Sequence, residues 1–162
     1  LAPITQVLGP LYIPLVGGVV FMLFLTRVKA FGMISTMAVL VGLALLATGQ
    51  GFWGLVFALA LGPLADLIIR AGKYQSWTCS MLSYVVFSEI LIATVIPLFF
   101  ARNAFLAKRE QRHGQEWAEQ ITALTPPWMF GVMMAMLAVG AVGGTYLGRA
   151  LLKKHFERAG IA

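Results

Sequence analysis

One acidic residue, Glu89, lies inside the apolar run YVVFSEILIATVIPLFF of residues 84–100. An ionised carboxylate costs several kcal/mol in hydrocarbon, and a glutamate side chain is too short to reach water from the middle of a bilayer. We therefore expect Glu89 to face the interior of a helix bundle, either protonated or hydrogen-bonded. Two roles remain open: a structural carboxyl that pins two helices together, or the floor of a ligand pocket that accepts hydrogen bonds from a substrate.

A second acidic residue, Asp66, precedes Arg70 by one helical turn, in the order that favours an ion pair. We interpret this pair as a structural anchor at the inner edge of a membrane. An intramembrane enzyme could use Glu89 and Asp66 together, but acid–base cooperation requires the two carboxyl groups to lie close together. The predicted spans place them at different depths, so we expect no catalytic residues and no enzymatic activity.

Residues that usually bind metals or cofactors are few and scattered. The two histidines, His113 and His155, are far apart in polar segments, and the single cysteine, Cys79, is interpreted as a small apolar residue near the inner membrane edge. The sequence has no HExxH, CxxC or glycine-rich phosphate loop. We therefore expect no metal site and no cofactor in this chain.

The composition indicates an integral membrane protein. Hydrophobic residues make up 60% of the 162 residues and charged residues only 11%, and the mean hydropathy is +0.87. A soluble domain of this length would carry more charge on its surface. A membrane helix needs roughly 20 apolar residues. Stretches that approach this length lie at about 8–26, 31–46, 52–69, 77–100 and 128–152.

These five spans predict the fold class: an all-α integral membrane protein, with residues 1–162 folded as one transmembrane domain, a compact helical bundle. The sequence begins at Leu1 with an apolar, turn-rich segment and without an initiator methionine. We expect one further helix before Leu1, which would make six spans in the full-length protein.

Basic residues are concentrated on one side of the predicted bundle. Eight of the twelve Lys and Arg residues fall in connections on that side: Arg27, Lys29, Arg70, Lys73, Arg149, Lys153, Lys154 and Arg158. Connections rich in Lys and Arg stay in the cytoplasm. This side, with the C-terminus, is therefore predicted to be cytoplasmic. The other basic residues lie in the long 101–126 connection, mixed with glutamates, which we place outside.

The 101–126 connection carries an amphipathic pattern, because Trp117, Ile121 and Leu124 recur at i, i+4 and i+7. The pattern predicts a short helix, which is either an interfacial helix or a lid over a pocket. An interfacial aromatic belt would also explain Trp128. The residues that we predict to bind a ligand are Tyr12, Gln50, Trp53, Glu89, Arg102, Asn103, Trp117 and Trp128.

Three glycines in the last span, Gly140, Gly144 and Gly148, fall at i, i+4 and i+8 and form one flat stripe. Small residues at this spacing permit close contact between helices. We expect the stripe to pack against another helix of the same chain. A docking face for a partner helix is the alternative.

Several segments resemble one family of bacterial membrane proteins, Trep_Strep. The resemblance covers nearly the whole chain and is carried by VGGVVFMLFLTRVKAFG (16–32), TGQG (48–51), LADLIIRAGKY (64–74), TPPWM (125–129) and GRALLKKHFERAGI (148–161). Members of this family are regarded as substrate-binding S components of energy-coupling factor (ECF) transporters. The resemblance implies six helices, a substrate pocket near the outer face that loops close, and a place in the bacterial cytoplasmic membrane. It also implies a complex with a transmembrane coupling subunit and two cytoplasmic ATPases.

The expected function follows from this resemblance: the chain captures a small organic micronutrient or a metal chelate at the outer face and delivers it through the coupling subunit. A pocket with Trp, Tyr and Met and few charges favours such a ligand over a bare cation. Two alternatives stay open, a non-transporting assembly subunit and a solitary transporter. We expect no nucleic acid partner, because loop charge accounts for the net charge of +6.

Overall fold

The computed structural model describes residues 3 to 156 of the chain. A 3₁₀ segment, Glu89–Thr94, interrupts the fourth apolar stretch, and a π-helical turn, Leu152–Phe156, follows the last helix. The α-helices are α1 (Pro3–Arg27), α2 (Met33–Ala47), α3 (Trp53–Ala71), α4 (Trp77–Ser88), α5 (Ile96–Phe100), α6 (Arg102–His113), α7 (Gln115–Leu124) and α8 (Met129–Leu151).

The predicted all-α membrane fold is confirmed, since residues 3–156 form helices and no strand. Segments that are long and apolar enough to cross a membrane are Pro3–Arg27, Trp53–Ala71, Trp77–Thr94 and Met129–His155. The other predicted span corresponds to α2, which is shorter, with 15 residues or about 22 Å of helix. Helix α2 runs antiparallel to α3, so it still leads from one end of the bundle to the other.

Contacts near the helix ends distinguish the two ends of the bundle, which we call its faces. The side chain of Gln50, in the turn between α2 and α3, accepts a hydrogen bond from Arg109 on α6 at 3.3 Å. We call the face that carries this turn, α6 and α7 the loop face. At the opposite face, Trp77 at the start of α4 contacts the ring of Tyr146 on α8, with 5.4 Å between ring centroids.

The fourth predicted span, 77–100, is not one continuous helix. It consists of α4, the 3₁₀ segment that begins at Glu89, and the short helix α5. Pro97 explains the break. It has no N–H to donate to the carbonyl of Ala93, and its ring crowds that carbonyl.

Helices α1 and α8 pack closely through the glycine stripe, whose three members are buried. A Cβ atom at Gly144 would lie 2.5 Å from the carbonyl oxygen of Pro14. One at Gly148 would lie 3.0 Å from the carbonyl oxygen of Gly18. These distances leave no room for a side chain, so the stripe packs within the protein, as expected, and is not a free docking face.

Helices α2 and α3 pack through small residues in the same way. A Cβ atom at Gly42 would lie 3.0 Å from the Cβ of Ala58. One at Gly62 would lie 2.8 Å from the Cβ of Ala38. Both alanines are fully buried, so backbone proximity holds this pair together, as is common between membrane helices.

The carboxylate of Asp66, on α3, is fully buried and caps the beginning of α2. It accepts hydrogen bonds from the backbone N–H of Ile34 at 3.3 Å and of Ser35 at 2.8 Å, and from the Ser35 hydroxyl. Helix α2 begins after Gly32, which has no side chain and a φ of 91°. Asp66 therefore supplies from another helix the acceptor that a capping residue normally provides.

The Asp66–Arg70 ion pair that the spacing predicts is not what holds this carboxylate. Arg70 is exposed, and its guanidinium lies 5.2 Å from the centroid of the Phe31 ring. Asp66 still anchors the bundle, but it joins α3 to α2. Spacing along one helix carries no information on the unpaired N–H groups of a neighbouring helix.

The 101–126 connection is helical along most of its length. Its second half forms α7, in which Trp117 and Ile121 are buried, as the amphipathic pattern predicts. They pack against Val95 and other residues of a core cluster at the loop face. Leu124, the third residue of that pattern, is 40% exposed. The first half forms α6, a helix that the amphipathic pattern does not predict, although the segment is rich in residues with high helix propensity. Gly114, with a φ of 89°, separates the two helices.

The last helix ends at Leu151 and passes into the π-helical turn. Lys153 and Lys154 are exposed there, where cations interact favourably with the C-terminal end of a helix. Arg158, one of the basic residues that predict a cytoplasmic C-terminus, lies outside the described residues, and so does Leu1.

Candidate ligand-binding site

A cavity of about 290 Å³ lies at the loop face of the bundle. Its walls come from the N-terminal half of α1, the end of α2 and the turn after it, the 3₁₀ segment, α6 and α8. The walls are mainly apolar and include Ile13, Leu91 and Leu137. The polar side chains that line it are Thr5, Gln6, Tyr12, Gln50, Thr94 and Arg109. Its size is close to the lower end of the range for small-molecule pockets.

A tight turn places Gln50 in the wall of this cavity. Gly49 and Gly51 flank it with φ angles of 79° and 93°, which are strained for residues with a side chain. The backbone N–H of Gln50 donates to the carbonyl of Leu45 at 2.9 Å. This backbone geometry directs the Gln50 amide towards α6, where it meets Arg109.

A second cavity of about 240 Å³ lies beside the first, between the α2–α3 turn and α6. Gln50 and Arg109 line both cavities and form the wall between them. Lys108 and Arg112 also line the second cavity. The first cavity is therefore mainly apolar, and the second carries a cluster of basic side chains.

The guanidinium of Arg109 is half-buried between the two cavities. It donates to the Gln50 side-chain oxygen at 3.3 Å and lies 5.3 Å from the centroid of the Phe105 ring. Burial lowers the pKa of Arg109, and the positive charge of Arg112 lowers it further. Both partners of Arg109 are neutral, so the structure holds a half-buried cation without an anionic partner among these contacts, beside a space of molecular size.

The family model of Trep_Strep, described as a hypothetical bacterial integral membrane protein, matches residues 1–158. The chain belongs to the Trep_Strep family. No curated protein and no solved structure matches it. The membrane character that the composition indicates is therefore shared with the family, and the site of this Trep_Strep chain has to be understood from its own residues.

The structure brings two of the predicted ligand-binding residues of this Trep_Strep chain, Tyr12 and Gln50, into the wall of the first cavity. Arg102 is elsewhere. Its guanidinium nitrogen Nη2 lies 2.6 Å from the carbonyl oxygen of Thr125 and 2.8 Å from the Thr125 hydroxyl. Arg102 therefore ties the beginning of α6 to the end of α7 and positions the helix that carries Arg109.

The other predicted residues at the loop face line neither cavity. Trp53 stacks on Phe52, with 4.9 Å between ring centroids. Asn103 is exposed, and Trp128 is 68% exposed. Trp117 is buried in the core cluster under α7. These positions fit an interfacial belt for Trp53 and Trp128 and a packing role for Trp117.

Glu89 lies at the junction of α4 and the 3₁₀ segment and is partly buried. It lines neither of the two cavities. Within residues 3–156, its Oε2 atom is buried and has no hydrogen-bond partner. No group of three His, Cys, Asp or Glu side chains in that range could hold a metal ion. The structure therefore shows neither a hydrogen bond through which Oε2 could pin two helices nor a place for Glu89 in either cavity, and both roles stay predictions.

We expect replacement of Glu89 with leucine to raise the free energy of unfolding by about 1–3 kcal/mol, because it removes a buried polar atom that lacks a partner. Glu89→Gln, which keeps the shape and hydrogen-bonding capacity, should change stability less. Thermal unfolding in detergent measures both effects. A lower melting temperature for both variants would show that the carboxyl is paired and would restore the role of a pin.

The sequence reading missed Thr5, Gln6, Thr94 and Arg109. Thr5 and Gln6 are adjacent polar residues in an otherwise apolar helix, and this signal could have pointed to them. Thr94 lies in the segment that Pro97 distorts, so a regular helix does not predict its direction. Arg109 is one of several basic residues in the 101–126 connection, and only the packing of α6 distinguishes it.

Proposed function

We propose that the protein is the substrate-binding subunit of an ECF-type importer. The observation that carries this proposal is the cavity at the loop face, enclosed by α1, the α2–α3 turn, the 3₁₀ segment and α6. Its apolar walls and few polar side chains are typical of sites for small organic molecules. A micronutrient or a metal chelate with an organic body is the class of ligand that suits these walls.

The residues of the cavity suit binding and not chemistry. Gln50 offers an amide, Tyr12 and Thr94 offer hydroxyl groups, and Arg109 offers a guanidinium. Such groups orient a ligand and select it by hydrogen bonding. The helix α6, which lies over the cavity and is tied to α7 through Arg102, is the element that closes the site.

Energy for import would come from partners. The sequence has no glycine-rich phosphate loop, so we assign ATP hydrolysis to two cytoplasmic ATPases that act through a transmembrane coupling subunit. The loop face is then the outer face of the bacterial cytoplasmic membrane, and the C-terminus is cytoplasmic, as the distribution of Lys and Arg favours. Exposed apolar side chains on α1, α2, α3 and α8 suit contact with lipid and with the coupling subunit.

Native mass spectrometry of the purified protein, followed by thermal shifts with fractions of a cell extract, tests the proposal. A small molecule should co-purify or raise the melting temperature, because a ligand stabilises the state that binds it. Uptake into vesicles should require the coupling subunit and the ATPases. Efficient uptake by this chain alone would indicate a solitary transporter, and partner binding without any ligand would indicate an assembly subunit.

A pair of glutamine variants locates the site. Gln50→Ala should weaken binding of the identified ligand by about fivefold, the effect of losing a neutral hydrogen bond. Gln75, exposed in the turn before α4 at the opposite face, provides the matched control. Gln75→Ala should leave affinity unchanged. Equal affinities for the two variants would place the ligand elsewhere.

A further inference from the structure

The wall between the two cavities carries a half-buried cation. Arg109 contributes to both cavities, and its Nη2 donates to a neutral amide oxygen of Gln50. Lys108 and Arg112 line the second cavity beside it. Arg112 is at i+3 from Arg109 and at i+4 from Lys108 on one helix, so its charge repels both of them at short range.

No acidic side chain of the described residues lines either cavity. Glu110, the nearest acid in the sequence, belongs to another surface of α6, where it faces Glu119 and Gln115 of α7 across a shallow depression. A partly desolvated cation normally has an anionic partner, since an unpaired buried charge is costly. Among the described residues, three basic side chains thus lie together at these cavities with no carboxylate in the walls.

We infer that the ligand is an amphipathic anion, with an apolar body in the first cavity and a carboxylate or phosphate group held by Arg109 at the wall. This inference rests on the proposed function and specifies its substrate class. The guanidinium offers five N–H donors in a planar fork that matches a carboxylate or a phosphate. The bond to Gln50 holds the fork at the wall and leaves other donors for the ligand.

The second cavity serves this site as a basic vestibule. Lys108 and Arg112 raise the local concentration of anions at the entrance, because clefts lined by charge of one sign attract ligands of the opposite sign. An acidic ligand that enters through the vestibule reaches Arg109 first and inserts its apolar part between α1 and the 3₁₀ segment. Both the entrance and the wall therefore favour a negatively charged ligand.

Two kinds of molecule could present such an anionic group to Arg109: a free organic anion and an anionic lipid. Both present a carboxylate or phosphate beside an apolar group. Either could occupy the site, so the test has to separate them. Purification in a detergent without phosphate removes bulk lipid and leaves only molecules that the site retains.

Naphthoate, naphthamide and naphthylmethylammonium share one apolar ring system and differ in charge, so they test whether binding requires an anion. Inorganic phosphate, an anion without an apolar part, is the fourth probe. Their affinities are measured by thermal shift and by titration calorimetry in dodecyl maltoside. The wild-type protein should bind naphthoate about tenfold more tightly than naphthamide, as expected for one charge-assisted hydrogen bond. The cationic probe should bind most weakly.

Arg109→Gln should remove the preference for naphthoate over naphthamide and leave the affinity for naphthamide within about twofold. Arg27→Gln is the matched control, because Arg27 is exposed at the opposite end of α1. It should retain the full preference. Arg109→Lys, which keeps the charge but not the fork, should retain part of it and shows that a folded protein with a cation at this position still selects anions.

Equal affinity for naphthoate and naphthamide in the wild type, unchanged naphthoate binding in Arg109→Gln, or no binding of any anionic probe would overturn the inference. If an uncharged molecule from the cell extract still binds, the proposed function survives that failure. Phosphatidylglycerol retained by the wild type but not by Arg109→Gln, and displaced by naphthoate, would support the anion site and identify its occupant as lipid.

Discussion

Replacing Asp66 with alanine is expected to lower the free energy of unfolding by about 3 kcal/mol, because three buried or partly buried donors at the start of α2 lose their acceptor at once. These donors are the N–H groups of Ile34 and Ser35 and the Ser35 hydroxyl. The carboxylate also interacts favourably with the positive end of the α2 dipole. Its loss removes the polar contact between α2 and α3 that their small-residue packing does not replace.

Asp66→Asn should have an intermediate effect, since one amide oxygen can still accept but the amide NH₂ faces donors. Glu110→Ala is the control, because Glu110 is an exposed acid on α6. Thermal unfolding in detergent and the yield of monodisperse protein provide the measurements. If Asp66→Ala were as stable as Glu110→Ala, the cap would not contribute to the stability of the bundle.

Replacing Gly144 with alanine is the second change with a large expected effect. Its Cβ would lie 2.5 Å from the carbonyl oxygen of Pro14 and 2.8 Å from that of Leu15. Both atoms belong to the backbone of α1, so the helices have to move apart. We expect a loss of about 1–3 kcal/mol, as for other overpacked interfaces.

Gly131→Ala provides the matched comparison for Gly144→Ala, because a Cβ at Gly131 meets no atom within 4 Å. The higher helix propensity of alanine should make this variant as stable as the wild type, or more stable by up to about 1 kcal/mol. Thermal unfolding of both variants in one detergent measures the difference. A Gly144→Ala protein that unfolds at the wild-type temperature would show that the contact between α1 and α8 tolerates expansion.

Hydropathy and periodicity predicted the membrane class, the positions of the long helices and the inward face of α7. These features depend on local composition and on one helical face at a time, which a single sequence contains. The break in the fourth span also has a local cause, Pro97, but a window of uniform hydropathy conceals it. The short helix α2, with 15 residues, was also placed correctly.

Less of the candidate site could be predicted from the sequence. Gln50 could be predicted because glycines on both sides impose a specific turn, and Tyr12 because it is an aromatic residue near the predicted start of the first span. Arg109 could not, since its role depends on how α6 packs over the α2–α3 turn. Asp66 was identified as an anchor, but its partner lies 31 or 32 residues away in the chain, beyond the reach of helical spacing.

The 3₁₀ segment also changes the rotational phase of the fourth span. A 3₁₀ helix turns by about 120° per residue, whereas an α-helix turns by about 100°. Over the 6 residues from Glu89 to Thr94, the difference accumulates to about 120°, a third of a turn. Side chains after this segment therefore face directions that a continuous helix would give to other positions. The orientation of Thr94 and Val95 towards the cavity depends on this offset, and no single helical wheel can describe both halves of the span.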